Sequence, residues 1–222
     1  MSTAQPAPRI ALINATPAAI GPAVQALAAD FPEAEVWNIL DDKLLADASS
    51  RGGLDDPLRT RMARLIQHAL AEGADGILLT CSMYGPIAQD THADVPVMAP
   101  DEAAFDELAA GNYGRVLVIA SLESALTDSV ARLRDALQQA GRTTDLDGVA
   151  APAAFTATQT GNQTELADAL IAATKDSGSQ PDAIFLAQYS LAPATEALAA
   201  ATGLPVISGP TSAAKRLRST VK

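Results

Sequence analysis

Three stretches of this chain recur in order about 107 residues further on, which points to two copies of one half-domain rather than a short-period solenoid. Arg9-Ile-Ala-Leu-Ile resembles Arg115-Val-Leu-Val-Ile, and Asp94-Val-Pro-Val-Met resembles Gly203-Leu-Pro-Val-Ile. Between them, ADGILLTCSMYGP (Ala74–Pro86) resembles PDAIFLAQYSLAP (Pro181–Pro193). One such match would be noise, because strands of Val and Ile look alike. Three at a near-constant shift constrain the fold to a duplicated lobe. The last pair aligns Asp75 with Asp182, Leu79 with Leu186 and Cys81 with Gln188.

Within each copy, short aliphatic runs alternate with helical patterns. The runs 9–13, 35–40, 76–79 and 95–98 in the first copy match 116–120, 146–150, 183–187 and 205–207 in the second. Strands that are almost wholly apolar belong to parallel sheets covered by helices on both faces. The expected fold class is therefore α/β, with two pseudo-symmetric lobes. Residues 1–8 read as a frayed terminus, 9–112 as lobe 1, and 113–222 as lobe 2, the two sharing one cleft. Local signals refine this. Asp55 before Pro57 opens a helix with Leu58, Met62, Leu65 and Ile66 on one face, stopped at Gly73. Asn162 with Glu165 forms a capping pair. Asn14 or Thr16 caps the first helix. Residues 41–53 show little periodicity and read as a mobile loop, and 151–161 as a loop of small residues.

Charge and cysteine content narrow the partners. The net charge is −11, with 15 Lys and Arg against 26 Asp and Glu. Nucleic acid and anionic membrane both require a basic face, so neither is expected. No apolar run approaches the length that spans a bilayer. MSTAQPAP lacks the basic and apolar regions of a signal peptide. A single cysteine forbids an intramolecular disulfide and suits a reducing compartment, the cytoplasm. His68 lies inside a helix and His92 in a loop, with no metal-ligand spacing around either, so no metal is expected.

The chemistry gathers at strand ends. Thr80, Cys81 and Ser82 follow one aliphatic run, and Gln188, Tyr189 and Ser190 follow its repeat. Asn14 and Ser121 end the first strand of each copy, with Ser124 opening the next helix. Loops at the carboxyl ends of parallel strands are where open α/β sheets place ligands. A lone cysteine in an apolar stretch is more often an inert small hydrophobe. Its position after a buried strand, between two hydroxyl residues, is what marks this one. For Asn14, Ser121 and Ser124, helix capping is the competing role.

At Thr80-Cys81-Ser82 and Ala187-Gln188-Tyr189 the sequence resembles the aspartate/glutamate racemase superfamily. That group includes amino-acid and hydantoin racemases, maleate isomerases and arylmalonate decarboxylases. The resemblance covers essentially the whole chain. It implies two similar α/β lobes, a small carboxylate substrate, no cofactor, and a homodimer or higher homo-oligomer. The family pattern has a cysteine at both matching strand ends, and here Gln188 stands where the second would be. The resemblance implies Cys81 as the catalytic thiol, with Asn14, Thr80, Ser82, Ser121, Ser124, Gln188, Tyr189 and Ser190 as substrate-binding residues. Glutamine neither takes nor gives a proton at ordinary pH. One-base proton delivery or covalent attack by Cys81 therefore fits better than two-base inversion. The readings that remain are a cysteine-dependent isomerase or racemase, a decarboxylase-type lyase, and a non-catalytic carboxylate-binding protein. A shared cleft would place Cys81 and Gln188 on the order of 7–10 Å apart, the width of a small-ligand pocket.

Overall fold

The structure, a computed structural model, describes residues 6–221. The frayed terminus expected over 1–8 falls mainly on residues 1–5, outside the described residues. The carbonyl of Pro8 accepts a 2.8 Å bond from the Glu35 N–H. Among the described residues, the strands form two four-stranded parallel sheets.

The first sheet has the order β2-β1-β3-β4, with β1 at Arg9–Asn14, β2 at Glu35–Leu40, β3 at Gly76–Leu79 and β4 at Val97–Met98. The second sheet has the order β6-β5-β7-β8, with β5 at Arg115–Ala120, β6 at Asp145–Ala150, β7 at Ala183–Leu186 and β8 at Val206–Ser208. The order is the same and so is the register. Ile13 pairs with Leu79 as Ile119 pairs with Leu186. The carboxylate of Asp75 accepts the Arg9 N–H at 2.7 Å, and that of Asp182 accepts the Arg115 N–H at 2.9 Å. The duplication thus extends to individual side-chain bonds that lock the start of each central strand.

β3 and β7 are buried along their whole length, as continuous apolar runs require. Edge strands β2 and β6 have no fully buried residue and mix partly buried with exposed positions. In the second sheet the period of two sorts the core. Val116, Val118 and Phe185 face one layer with α5 (Glu102–Ala110) and α6 (Glu123–Gln139). Leu117, Ile119 and Ile184 face the other, with α7 (Pro152–Thr160), α8 (Gln163–Asp176) and α9 (Thr195–Thr202). In the first sheet, Ala11, Ile13, Ile77 and Leu79 pack on Leu58, Met62, Ile66 and Ala69 of α3 (Asp56–Ala71). α1 (Ile20–Asp30) and α4 (Gly85–Gln89) complete that lobe's helices up to Pro100, together with α2.

That α2 (Leu44–Ser50) lies in the segment expected to be a mobile loop. Arg61 holds it from α3, bonding Asp41 at 2.6 Å and Asp47 at 2.8 Å. The loop of small residues expected over 151–161 is likewise the helix α7, with Pro152 in its first turn and Gly161 ending it at φ 70°. That left-handed conformation is the one glycine adopts at no steric cost. Two of the three anticipated caps are present: Asp55 accepts the Leu58 N–H at 2.9 Å, and Asn162 the Glu165 N–H at 3.2 Å.

By packing, the chain divides into two compact units. One runs up to Pro100 and regains the chain from Ala213, and the other is Asp101–Ser212. The repeat sets its division near Asn112; packing groups α5 with α6 and β8 instead. Residues 213–221 include the end of α10 (Gly209–Thr220), whose Leu217 lies against Gly76 of β3. A Cβ at Gly76 would come within 3.1–3.2 Å of Ile10, Leu217 and Val221, so any larger residue here would press on all three side chains.

Candidate active site

In each sheet the chain leaves the first central strand toward one edge and returns on the other side. That makes a topological switch point between β1 and β3, and a second between β5 and β7. The sequence-marked residues fall at these two places.

In the first unit, Asn14 ends β1 and is fully buried. It caps no helix. Its Nδ2 donates to the Leu12 carbonyl at 3.2 Å and to Asn38 Oδ1 at 3.1 Å, and its Oδ1 accepts the Thr80 hydroxyl at 2.9 Å. One side chain therefore ties together the carboxyl ends of β1, β2 and β3. A buried amide needs such partners, and the β2 partner, Asn38, carried no signal in the sequence. Thr16 occupies the capping position of the first helical turn, but its side chain makes no capping bond.

Cys81 comes next, half-buried, on extended backbone with φ −127° and ψ 118°. Ser82 and Met83, both half-buried, then enter a 3₁₀ turn (Ser82–Tyr84) that leads into α4. Tyr84 is fully buried and donates its hydroxyl to the Leu44 carbonyl at 2.9 Å. Burial above all, then the negative charge of a Cys81 thiolate, pushes the Tyr84 phenol up to about 12. It stays a neutral donor, and it links the turn after Cys81 to α2.

In the second unit, Ser121 follows β5 and Gln188 follows β7. Ser121 is buried at 1% exposure, at the register position held by Ala15 in the first copy. Gln188, half-buried and extended at φ −142° and ψ 141°, matches Cys81 in backbone as well as in place. Its Oε1 accepts the Ser121 N–H at 2.6 Å and the Ser121 hydroxyl at 2.9 Å. Tyr189 is buried, and burial followed by the charge of Asp101 holds its phenol well above the ordinary range. Ser190 is half-buried. Ser124 sits exposed near the start of α6. The structure thus brings Asn14, Thr80 and Cys81 together at one switch point and Ser121, Gln188 and Tyr189 at the other. Among the described residues, Ser124 bonds to neither group.

Sequence reasoning passed over a partly buried ion pair. Asp101, 4% exposed, bonds Arg132, which also bonds Asp128 at 2.9 Å and lies over the Phe105 ring at 5.7 Å. Among the described residues no group of three His, Cys, Asp or Glu side chains is arranged to hold a metal ion, and no helix is long and apolar enough to cross a membrane.

A model of the Asp/Glu/hydantoin racemase family matches residues 10–217. Among solved structures, an aspartate racemase from Picrophilus torridus is similar at 11% identity and a TM-score of 0.73, over 96% of this chain and 94% of that one. An allantoin racemase from Klebsiella pneumoniae is similar at 21% identity and a TM-score of 0.67, over 96% and 86%. A glutamate racemase from Bacillus anthracis is similar at 13% identity and 0.69, over 97% and 82%. No curated protein matches the sequence significantly.

Proposed function

Because the chain belongs to the Asp/Glu/hydantoin racemase family, we propose that it is a cofactor-independent isomerase of that family with a single catalytic thiol. In this reading Cys81 moves a proton on, or attacks, the reacting carbon of a small carboxylate. The observation that carries it is the placement of Cys81. It is half-buried, directly after a wholly buried strand, at the switch point where α/β sheets bind ligands, on a strand end locked by Asn14 and Thr80. A thiol set on a rigid element is held in register with its substrate better than one on a loose loop. The hydroxyl of Ser82 and nearby backbone N–H groups would take the carboxylate and the charge that develops on proton removal. Asn14 and Thr80 support the Cys81 strand end, and Ser121 supports Gln188.

Gln188 shapes the chemistry. A two-base racemase needs a proton-transfer group on each face of the carbon, and an amide cannot serve as one. One-sided proton transfer follows. The same feature suits a decarboxylase-type lyase, in which a C–C bond to a carboxylate breaks and one proton is delivered to the carbon left behind.

The test is thiol reactivity joined to turnover. Cys81 should alkylate with iodoacetamide faster than free cysteine at pH 7, because only a thiolate reacts. Small carboxylates should protect it, and Cys81→Ser should abolish turnover of aspartate, glutamate or malonate-type substrates. Slow labelling that no carboxylate changes would remove Cys81 from the chemistry and leave a binding protein.

A further inference from the structure

The Ser121–Gln188 pair fixes which end of an amide faces the second switch point. The backbone N–H of Ser121 can only donate, so the Gln188 atom 2.6 Å from it is the carbonyl oxygen. The Ser121 hydroxyl donates to the same oxygen at 2.9 Å. With Oε1 committed twice, the end of the carboxamide left for a ligand is Nε2, which has two protons to donate and no lone pair to accept with. The first copy shows that the arrangement is particular to the second. The position of Ser121 there holds Ala15, which offers no hydroxyl, and the position of Gln188 holds Cys81. The serine that orients and the glutamine that is oriented occur together.

We infer that Gln188 is a specificity-determining hydrogen-bond donor whose polarity Ser121 sets, selecting a ligand that presents an anionic or carbonyl oxygen, foremost a carboxylate. This rests on the proposal that the protein handles small carboxylates, and it deepens it. Ser121, at 1% exposure, is the positioning residue and does not itself meet the ligand. A carboxylate bonded to the amide gains a charge-assisted contact, whereas an amide ligand of the same shape accepts through a neutral carbonyl oxygen and gains only the weaker neutral bond.

Gln188→Glu isolates this polarity. A carboxylate at 188 still accepts both Ser121 bonds and fills the same volume, yet it turns an acceptor outward in place of a donor. The probes are acetate and its neutral isostere acetamide, titrated at pH 7 and constant ionic strength into 15N-labelled protein. The wild type should bind acetate in preference to acetamide, with the Gln188 side-chain NH2 resonances, identified by their loss in Q188E, moving saturably. In Q188E the acetate affinity should fall about tenfold or more, the size of a lost charge-assisted bond, and the preference should reverse toward acetamide. Thermal stability should stay near wild type, because the Ser121 bonds persist. Gln188→Met, which loses both bonds and donor, should lose acetate affinity without gaining acetamide.

The outcomes separate this inference from the functional proposal beneath it. If acetate slows iodoacetamide at Cys81 equally in wild type and Q188E, and the Gln188 resonances stay still, the carboxylate reading stands and the role of Gln188 is overturned. If acetate neither moves those resonances nor protects Cys81, both fall. An unchanged acetate-over-acetamide preference in Q188E also overturns the inference.

Discussion

Thr80→Val tests whether the strand end beneath Cys81 is held as described. Valine keeps the shape of threonine and removes only the hydroxyl. That hydroxyl gives Asn14 Oδ1 its 2.9 Å bond, and Asn14 is fully buried, so no water can replace the donor. The second contact of the hydroxyl, to the Ile13 carbonyl at 3.4 Å, is long and adds little. Leaving one buried acceptor unsatisfied costs about 1–3 kcal/mol. For a chain of this length that is a fall in Tm of roughly 2–12 °C, at about 2–4 °C per kcal/mol. Asn14→Ala supplies the control. Once the orphaned carbonyl is gone, the same Thr80→Val change should cost less than about 0.5 kcal/mol, and a double-mutant cycle should return a coupling of about 1 kcal/mol or more. Urea unfolding of the four proteins measures all of this. Equal costs in both backgrounds would refute the bond, and with it the claim that Asn14 and Thr80 hold the cysteine-bearing strand end.

Gln188→Cys should lower stability by about 1–3 kcal/mol, because the thiol cannot reach the buried Ser121 N–H as the amide oxygen does. The same variant should gain racemisation of whatever substrate the wild type turns over on one face, and deuterium incorporation in heavy water reads that gain; an unchanged urea midpoint would contradict the bond. Tyr84 predicts a loss of stability in alkali. Its folded pKa of about 12 lies above the ordinary 10, so its contribution is complete below pH 10 and is lost as pH rises toward 12. The loss amounts to about 2 kcal/mol and should disappear in Tyr84→Phe, in a comparison of chemical denaturation at pH 9 and pH 11.5. Arg61→Met should release α2, with limited proteolysis between residues 41 and 53 accelerating several-fold while β3 stays protected in hydrogen exchange.

What the sequence made legible was whatever repeated or was strongly periodic. β3 and β7 lie where the aliphatic runs lay, and Asp75 and Asp182, matched by alignment alone, make matching bonds. The caps at Asp55 and Asn162 are local chemistry and were read locally. α2 was not legible because LLADASS is too short for a period to show. It is held by Arg61 and Tyr84, residues 14 to 40 positions away in sequence. α7 hid for another reason. Its buried face is Ala154 and Ala157, residues that look neutral in a pattern search. Its bracketing signals, Pro152 at the start and Gly161 at the end, were present and went unused. Asn14 looked like a cap because asparagine before a helix usually is one. Only the fold shows β2 delivering Asn38 beside it. The family match over 10–217 supports the identification made on the two strand-end triplets.

The return of the segment from Ala213 to the first unit has a consequence for how the protein is made. A ribosome delivers the amino-terminal lobe first, and domains generally fold as they emerge. Here β3 is flanked at Gly76 by Leu217 and Val221, which are synthesised after the whole of the second unit. The lobe carrying Cys81 therefore waits, with part of an apolar strand uncovered, until residues 213–221 have emerged. The lobe from Asp101 to Ser212 has all its residues before then. A gene fragment stopped near residue 112 would encode every residue of the cysteine strand end and still lack the helix segment that closes it. Appending 213–222 through a linker should recover a soluble lobe where the plain fragment aggregates.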